Sequence, residues 1–302
     1  MGALIKMVSV ARPRIGFHHV NSISLSARAA IQCLSDAQID PFTIGLLVNT
    51  GIYRHKNTGE PSIAALIQKK ISACKPVNND SDKSESTFSF DINNGGCGFL
   101  TGIEIIHSAI SDGEITYGML VTGDSEPFHG LSENFNIHPA AAALILEKSE
   151  NSTGFSLFRT YIFPEYSEEF VSCTFFHDPK WFRKGRNILN IKQKESYLDL
   201  CVNCSVESFF NFLDESGIDL DEIDLIISSQ SPIGFTGMLK KRLGLNGNFI
   251  ELEKTGEMIY HTAGPLFALK KVWDDNRFRS SENIIFLTIG SGINVSLALY
   301  KN

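Results

Sequence analysis

The sequence lacks any apolar run close to the ~20 residues that cross a membrane as a helix. The stretch 140–146, AAAALIL, has the length of a core strand and no more. Basic residues are in deficit: 27 Lys and Arg against 34 Asp and Glu leave a net charge of −7. That balance argues against nucleic acid as the main partner. Cysteine is sparse, with six residues at 33, 74, 97, 173, 201 and 204 and no regular spacing, which excludes a disulfide scaffold. Cys201-Val-Asn-Cys204 has CxxC spacing but sits in a helical pattern without a second pair. Two core-facing helix cysteines are therefore expected there, not a metal or redox site. The histidines show no metal-ligand spacing, so no metal is expected, and no bound cofactor is expected either. Residues 1–16 lack the h-region and cleavage site of a secretory signal, and Lys6 stands where a myristoylation signal has Ser or Thr. A cytoplasmic protein with reduced thiols is expected.

What is present reads as a large α/β chain. At 302 residues, 43% of them hydrophobic, the sequence can bury one large core or two ordinary ones. Apolar positions Ile23, Leu25, Ala29, Ile31 and Leu34 predict a helix over 22–37. A buried-type strand follows at 44–48, then a helix over 62–74 with Pro61 at its start. Residues 77–86 are polar and predict a surface loop. Strands are expected at 88–92, 119–122 and 140–147. The aromatic-rich segment 150–195 reads as an irregular cap over an apolar pocket, with a β layer as the other reading.

The second half then repeats the first. A helix over 197–215 precedes the segment 218–228, which echoes 39–49 in its spacing of Ile, Asp and apolar residues. Helix 234–243, a short strand at 249–252, a helix opening at His261-Thr262 and a strand at 284–287 complete the echo. That last strand runs into Gly290-Ser291-Gly292 as strand 119–122 runs into Gly123. Such a repeat at half-chain separation predicts an internally duplicated α/β fold whose equivalent loops meet at one site.

One stretch carries the chemistry. Strand 88–92 turns through Asn93-Asn94-Gly95-Gly96 and delivers Cys97 to the start of an amphipathic helix. Helix-start N–H groups and the helix dipole favour thiolate, the nucleophilic form. The same residues equally describe a buried cysteine in a glycine-rich turn.

Three stretches, in order, resemble the thiolase superfamily and, within it, the β-ketoacyl-carrier-protein synthase III branch. Glu60-Pro61-Ser62 through Gln68 is similar to that family's Pro-Ser helix, and Phe90-Asp91-Ile92 through Cys97-Gly98-Phe99 to its nucleophile segment. Ser229-Gln230, His261-Thr262 and Gly290-Ser291-Gly292 resemble its His-Gln, Asn-Thr and glycine loops. The match spans roughly residues 40 to 300.

The resemblance implies a five-layer αβαβα fold with an N-terminal half at 1–165 and a C-terminal half at 166–302. It implies an acyltransferase of the 3-oxoacyl-carrier-protein synthase III type, acylated on Cys97 from acyl-CoA or acyl-carrier protein. The acyl group would then condense with malonyl-carrier protein or pass to another acceptor, in fatty-acid or specialised metabolism. His261 and Ser229 would manage protons, and Gln230, Ser291 and Gly292 would hold substrate or oxyanion. The partner would be a second copy in a two-fold dimer built on the nucleophile half, or another ketosynthase in a heterodimer. Two other readings compete: a non-catalytic ketosynthase-like subunit and a thioesterase-like hydrolase.

Departures from the pattern qualify the implied chemistry. The family histidine falls on Ser229, a poorer base, and the family asparagine on His261. Counted from Asp91, the nucleophile's place falls on Gly96, with Cys97 one residue late. His138-Pro139-Ala140 replaces a glycine-rich strand start, and the basic residues expected to meet coenzyme A phosphates are not obvious after Gln230.

Overall fold

The computed structural model describes residues 2–14, 20–73, 87–151, 153–177, 185–252 and 258–302. The expected loop at 77–86, Cys74, and His18 and His19 lie outside the described residues. The chain runs β1 (Ala3–Ala11), α1 (Ser22–Ala37), β2 (Ile44–Asn49), α2 (Ile63–Lys70), β3 (Phe88–Asp91), α3 (Gly98–Ser111) and β4 (Tyr117–Asp124). It continues through β5 (Ser132–Glu133), β6 (Ala140–Lys148), β7 (Gly154–Ile162), β8 (Phe170–His177), β9 (Arg186–Gln193) and α4 (Tyr197–Ser216). It ends with β10 (Leu225–Ser228), α5 (Phe235–Leu243), α6 (Gly264–Asp274), α7 (Arg277–Ser280), β11 (Asn283–Gly290) and β12 (Asn294–Lys301).

Two sheets share one plan. The first has the order β1-β6-β4-β2-β3, the second β7-β12-β11-β10. In each, the inner pair β2–β4 or β10–β11 is parallel and the next two pairings are antiparallel. A parallel bridge between Ile226 and Phe249 stands where β3 pairs with β2. The expected strand at 249–252 is reduced to that bridge.

Strand periodicity builds the layers, because alternate side chains leave a sheet on opposite faces. On β6, Ala142, Leu144 and Leu146 face a central core, while Ala141, Ala143 and Ile145 face a second core under α1 and α2. On β11, Ile284 and Phe286 join the same central core, and Ile285, Leu287 and Ile289 meet α4 and α5. Helices α3 and α6 fill the space between the sheets with Phe99, Ile103, Leu266 and Leu269. The result is the five-layer αβαβα architecture. Buried on both faces, strands such as β6 read as continuous apolar runs, as observed.

Segment 150–195 differs from the cap expected there. β7 joins the second sheet beside β12, and β5, β9 and β8 form a small separate sheet. The aromatics serve these strands: Phe155 enters the central core, whereas Phe175 and Phe176 on β8 are exposed. Among the described residues no helix is long and apolar enough to cross a membrane.

Candidate active site

The loops at the strand ends of both halves converge on one cavity of about 490 Å³. Its lining includes Tyr53 and Arg54 after β2, Gly95 and Gly96 before α3, Ser229 after β10, His261 before α6, and Gly290 and Ser291 after β11. Two glycine turns touch at its base: a Cβ on Gly95 would lie 3.2 Å from the α-carbon of Gly290. Gly95 also holds a left-handed φ of +51°, which a side chain would strain.

The structure departs from expectation at Cys97. Residues Gly95–Cys97 form a 3-10 turn, in which successive side chains point about 120° apart. Gly96 lines the cavity and Cys97 does not. The Cys97 sulfur is fully buried, 3.4 Å from the Thr288 carbonyl oxygen and 3.3 Å from that of Asn294. Burial pushes its thiol up to about 11, against a smaller opposing effect of hydrogen bonds from Ser296 and Thr288. A protonated thiol donating to a strand carbonyl is the reverse of an exposed thiolate.

The register does not leave room for a nucleophile at Gly96 either. A Cβ there would lie 2.2 Å from the Ile289 carbonyl oxygen and 3.5 Å from Ser229 Oγ.

His261 is the residue that best meets expectation on placement. It lines the cavity with its side chain 14% exposed, and its Nδ1 lies 3.6 Å from Asp124 Oδ2. That is an ion-pair distance rather than a hydrogen bond, and Nδ1 has no other partner. The Tyr53 ring meets the imidazole edge-on at 5.3 Å.

Asp124, at the end of β4, is buried and well supplied with donors. Oδ1 accepts from the N–H of Ile52 at 3.0 Å and of Tyr53 at 2.9 Å. Oδ2 accepts from the Thr262 N–H at 3.0 Å and from Thr262 Oγ1 at 2.5 Å. Burial opposes its charge, but the His261 imidazole, Thr262 and the Tyr53 N–H outweigh burial and hold the carboxyl below its usual range. Asp124 and Tyr53 were not among the sequence candidates; the Gly123-Asp124 pair at a strand end was the available signal.

The remaining candidates divide. Ser229 Oγ accepts from the Ile289 N–H at 3.1 Å and sits at the cavity wall. Ser291 lines the cavity, while Gly292 does not and occupies the turn with φ +121°. Gln230 is a structural clamp rather than a substrate donor. Its Nε2 donates to the Ser228 and Ile250 carbonyls at 3.0 and 3.1 Å, and its Oε1 accepts from the Leu252 N–H at 3.0 Å. Cys201 and Cys204 are buried on α4, and no His, Cys, Asp or Glu cluster among the described residues could hold a metal.

The duplicated five-layer architecture, with a site where the strand-end loops of both halves meet, is the fold of solved synthase III and OleA structures, and the sequence is similar to proteins of that thiolase-like kind. Over 94% of the chain it is 22% identical to the acyl-CoA:acyl-CoA alkyltransferase of Xanthomonas campestris pv. campestris, covering 83% of that protein. It is 22% identical over 90% of its length to the β-ketoacyl-[acyl-carrier-protein] synthase III of Clostridium acetobutylicum, covering 82% of it. Among solved structures, a variant of Xanthomonas campestris OleA superposes with a TM-score of 0.79 at 18% identity, covering 100% of this chain and 99% of that one. The 3-oxoacyl-[acyl-carrier-protein] synthase III of Aquifex aeolicus gives 0.79 at 17% identity and 100% coverage of both chains. No protein-family model matches the chain.

Proposed function

We propose that this protein is an acyl-transferring enzyme of the synthase III type that takes an acyl thioester, from coenzyme A or a carrier protein, into the cavity between its halves. The observation that carries the reading is His261 on the cavity wall with buried Asp124 behind it. With the Nδ1 proton facing Asp124, Nε2 offers its lone pair to the cavity. An alcohol or amine acceptor then attacks the thioester carbonyl directly. His261 takes the acceptor's proton and returns it to the departing thiolate. N–H groups of the turns at 95–97 and 290–292 are the candidates for holding the oxyanion. Direct transfer follows from the placement of Cys97, whose buried, protonated sulfur is not on the cavity. Decarboxylative condensation, which calls for two donors on the thioester oxygen, is the less suited half-reaction for one histidine beside Ser229. The working unit is a two-fold dimer.

A specific observation favours a second reading. The Ile289 carbonyl fills the place of a side chain at Gly96, as a non-catalytic partner subunit that has lost its nucleophile would permit. Release of free thiol from acyl-CoA or acyl-carrier protein in the presence of candidate acceptors, read together with intact protein mass, separates the two. Direct transfer gives thiol release that survives Cys97→Ala and falls about a hundredfold in His261→Ala, the scale of a lost general base. An acyl adduct that vanishes in Cys97→Ala restores the cysteine as nucleophile. No release and no adduct with any donor leaves the partner-subunit reading, and release without acceptor indicates a hydrolase.

A further inference from the structure

We infer that the acyl group this cavity accepts carries an anionic end, a carboxylate, held by Arg54. The inference rests on the acyl-transfer reading above and adds the substrate class to it. Among the described residues lining the cavity there is no aspartate or glutamate, and Arg54 is its one permanent cation. The chain as a whole carries 34 acidic residues, yet none described lines this cavity, and the carboxylate that meets Arg54, Asp91, stands outside its lining.

The Arg54 side chain is 15% exposed, and its Nη1 pairs with Asp91 at 3.2 Å. Its Nη2 donates to Asn93 Oδ1. Among the described residues no further acceptor meets the guanidinium, which has five N–H donors. Asp91 is itself shared. It accepts from the Ile63 and Ala64 N–H groups, both at 2.8 Å, and from Asn49 Nδ2 at 3.1 Å. Arg54 is thus fixed in position by two partners and keeps open donors beside a cavity that offers it no protein carboxylate. A carboxylate is the ligand that a guanidinium fork matches best in such a place.

The wall agrees with a polar guest. Asn57, Thr58, Asn93, Ser172 and Ser231 share the lining with Arg54, beside Ile52, Phe170 and Ile289, a mixed wall that suits a short chain with a polar end better than a long saturated one. Reach agrees too. Asn93 touches Arg54, Gly96 lines the same cavity, and the span of chain between them extends at most about 10 Å. A short diacid half-thioester fits; a fatty chain is not required.

Thioester donors from coenzyme A or a carrier protein also bring phosphate, a second possible anion. Thioesters of N-acetylcysteamine carry none, so they separate the two sources. Titration calorimetry of the whole protein with succinyl- and butyryl-N-acetylcysteamine reads binding alone. The succinyl thioester is expected to bind about tenfold tighter, the scale of one charge-assisted hydrogen-bonded pair. Arg54→Gln should erase that preference and Arg54→Lys should keep part of it. Equal affinities in the wild-type protein, no binding of either thioester, or a preference that persists in Arg54→Gln overturns the inference. So does Arg54-dependent binding of butyryl-CoA when neither N-acetylcysteamine thioester binds, which assigns the residue to phosphate. The wild-type comparison needs no variant to fold. A succinyl preference without any turnover keeps the anion site and removes the acyl-transfer reading, whereas equal turnover of both does the opposite.

Discussion

A side chain at position 96 would have to displace the last carbonyl groups of β11, since its Cβ would stand 2.2 Å from the Ile289 oxygen. Gly98, two positions on, would place its Cβ 3.4 Å from Thr50 Cβ, an ordinary contact, and its φ of −53° is helical. Gly96→Ala is therefore expected to cost about 1–3 kcal/mol, as overpacking does. Gly98→Ala should be neutral or stabilising by up to about 1 kcal/mol, because it restricts the unfolded chain at a compatible position. Urea unfolding of both variants checks the contrast, and equal effects at the two sites would refute it. By the same contact, Gly96→Cys does not rebuild a nucleophile, although it restores the family spacing.

Asp124 makes a pH-dependent claim. Its folded carboxyl titrates below the unfolded value of 3.8, so its stabilisation is present above about pH 4 and is lost as pH falls through the depressed folded value. Acid unfolding of Asp124→Asn, followed by near-ultraviolet circular dichroism, should start from lower stability at neutral pH. It should also lose less between neutrality and pH about 3 than the wild type; parallel curves would remove Asp124 as a contributor. Much of this site was legible beforehand. Ser229, His261 and Ser291 stand in loops whose order along the chain gave them away. Asp124 was not legible, because its partners Thr262 and His261 lie in the other half of the chain. Nor was the direction of Cys97, since a shift of one residue on a 3-10 turn rotates a side chain by about 120°.

Among elements, the strand-end segment 249–252 shows how one polar side chain replaces a ladder. Its equivalent in the first half, β3, pairs with β2 through Leu46 to Asn49. In the second half only Phe249 bridges to Ile226, and Gln230 takes over with its bonds to Ile250 and Leu252. Repetition in sequence revealed the element but not its weakening, because the pattern 249–252 is as apolar as a true strand. β1 and β7 were missed for a related reason. Each is recognised by the sheet edge it completes, with long-range partners Ala141 to Lys148 and Asn294 to Lys301. Gln230→Leu removes the donor and acceptor that hold the segment and leaves polar backbone groups unpaired, at a cost of about 1–3 kcal/mol. Because Gln230 does not line the main cavity, ligand affinity there should hold while hydrogen exchange at Ile250 and Leu252 quickens. Unchanged exchange would show that the clamp does not restrain the segment.

For the whole molecule, the first sheet ends on β3, and no described strand pairs with its outer edge. Phe88 on it is 67% exposed, with its ring 5.5 Å from that of Phe90. No proline interrupts the strand, and Asp91, the acid on it, is engaged with Arg54 and the start of α2. An edge with an exposed aromatic that no described strand covers invites pairing with another strand, and in a two-fold dimer the two copies of one edge meet each other. The dimer proposed above therefore uses β3, which would also bring the second copy close to Arg54 and the glycine turn at 95–96, since Asp91 leads directly into both. Sedimentation velocity should find a dimer at micromolar concentration and a monomer for Phe88→Asp, because a buried unpaired carboxylate at the centre of such an interface is not tolerated. Arg54-dependent binding should weaken in that monomer. A wild-type monomer would sink the homodimer, and a wild-type monomer that pairs with a second ketosynthase would shift weight to the partner-subunit reading.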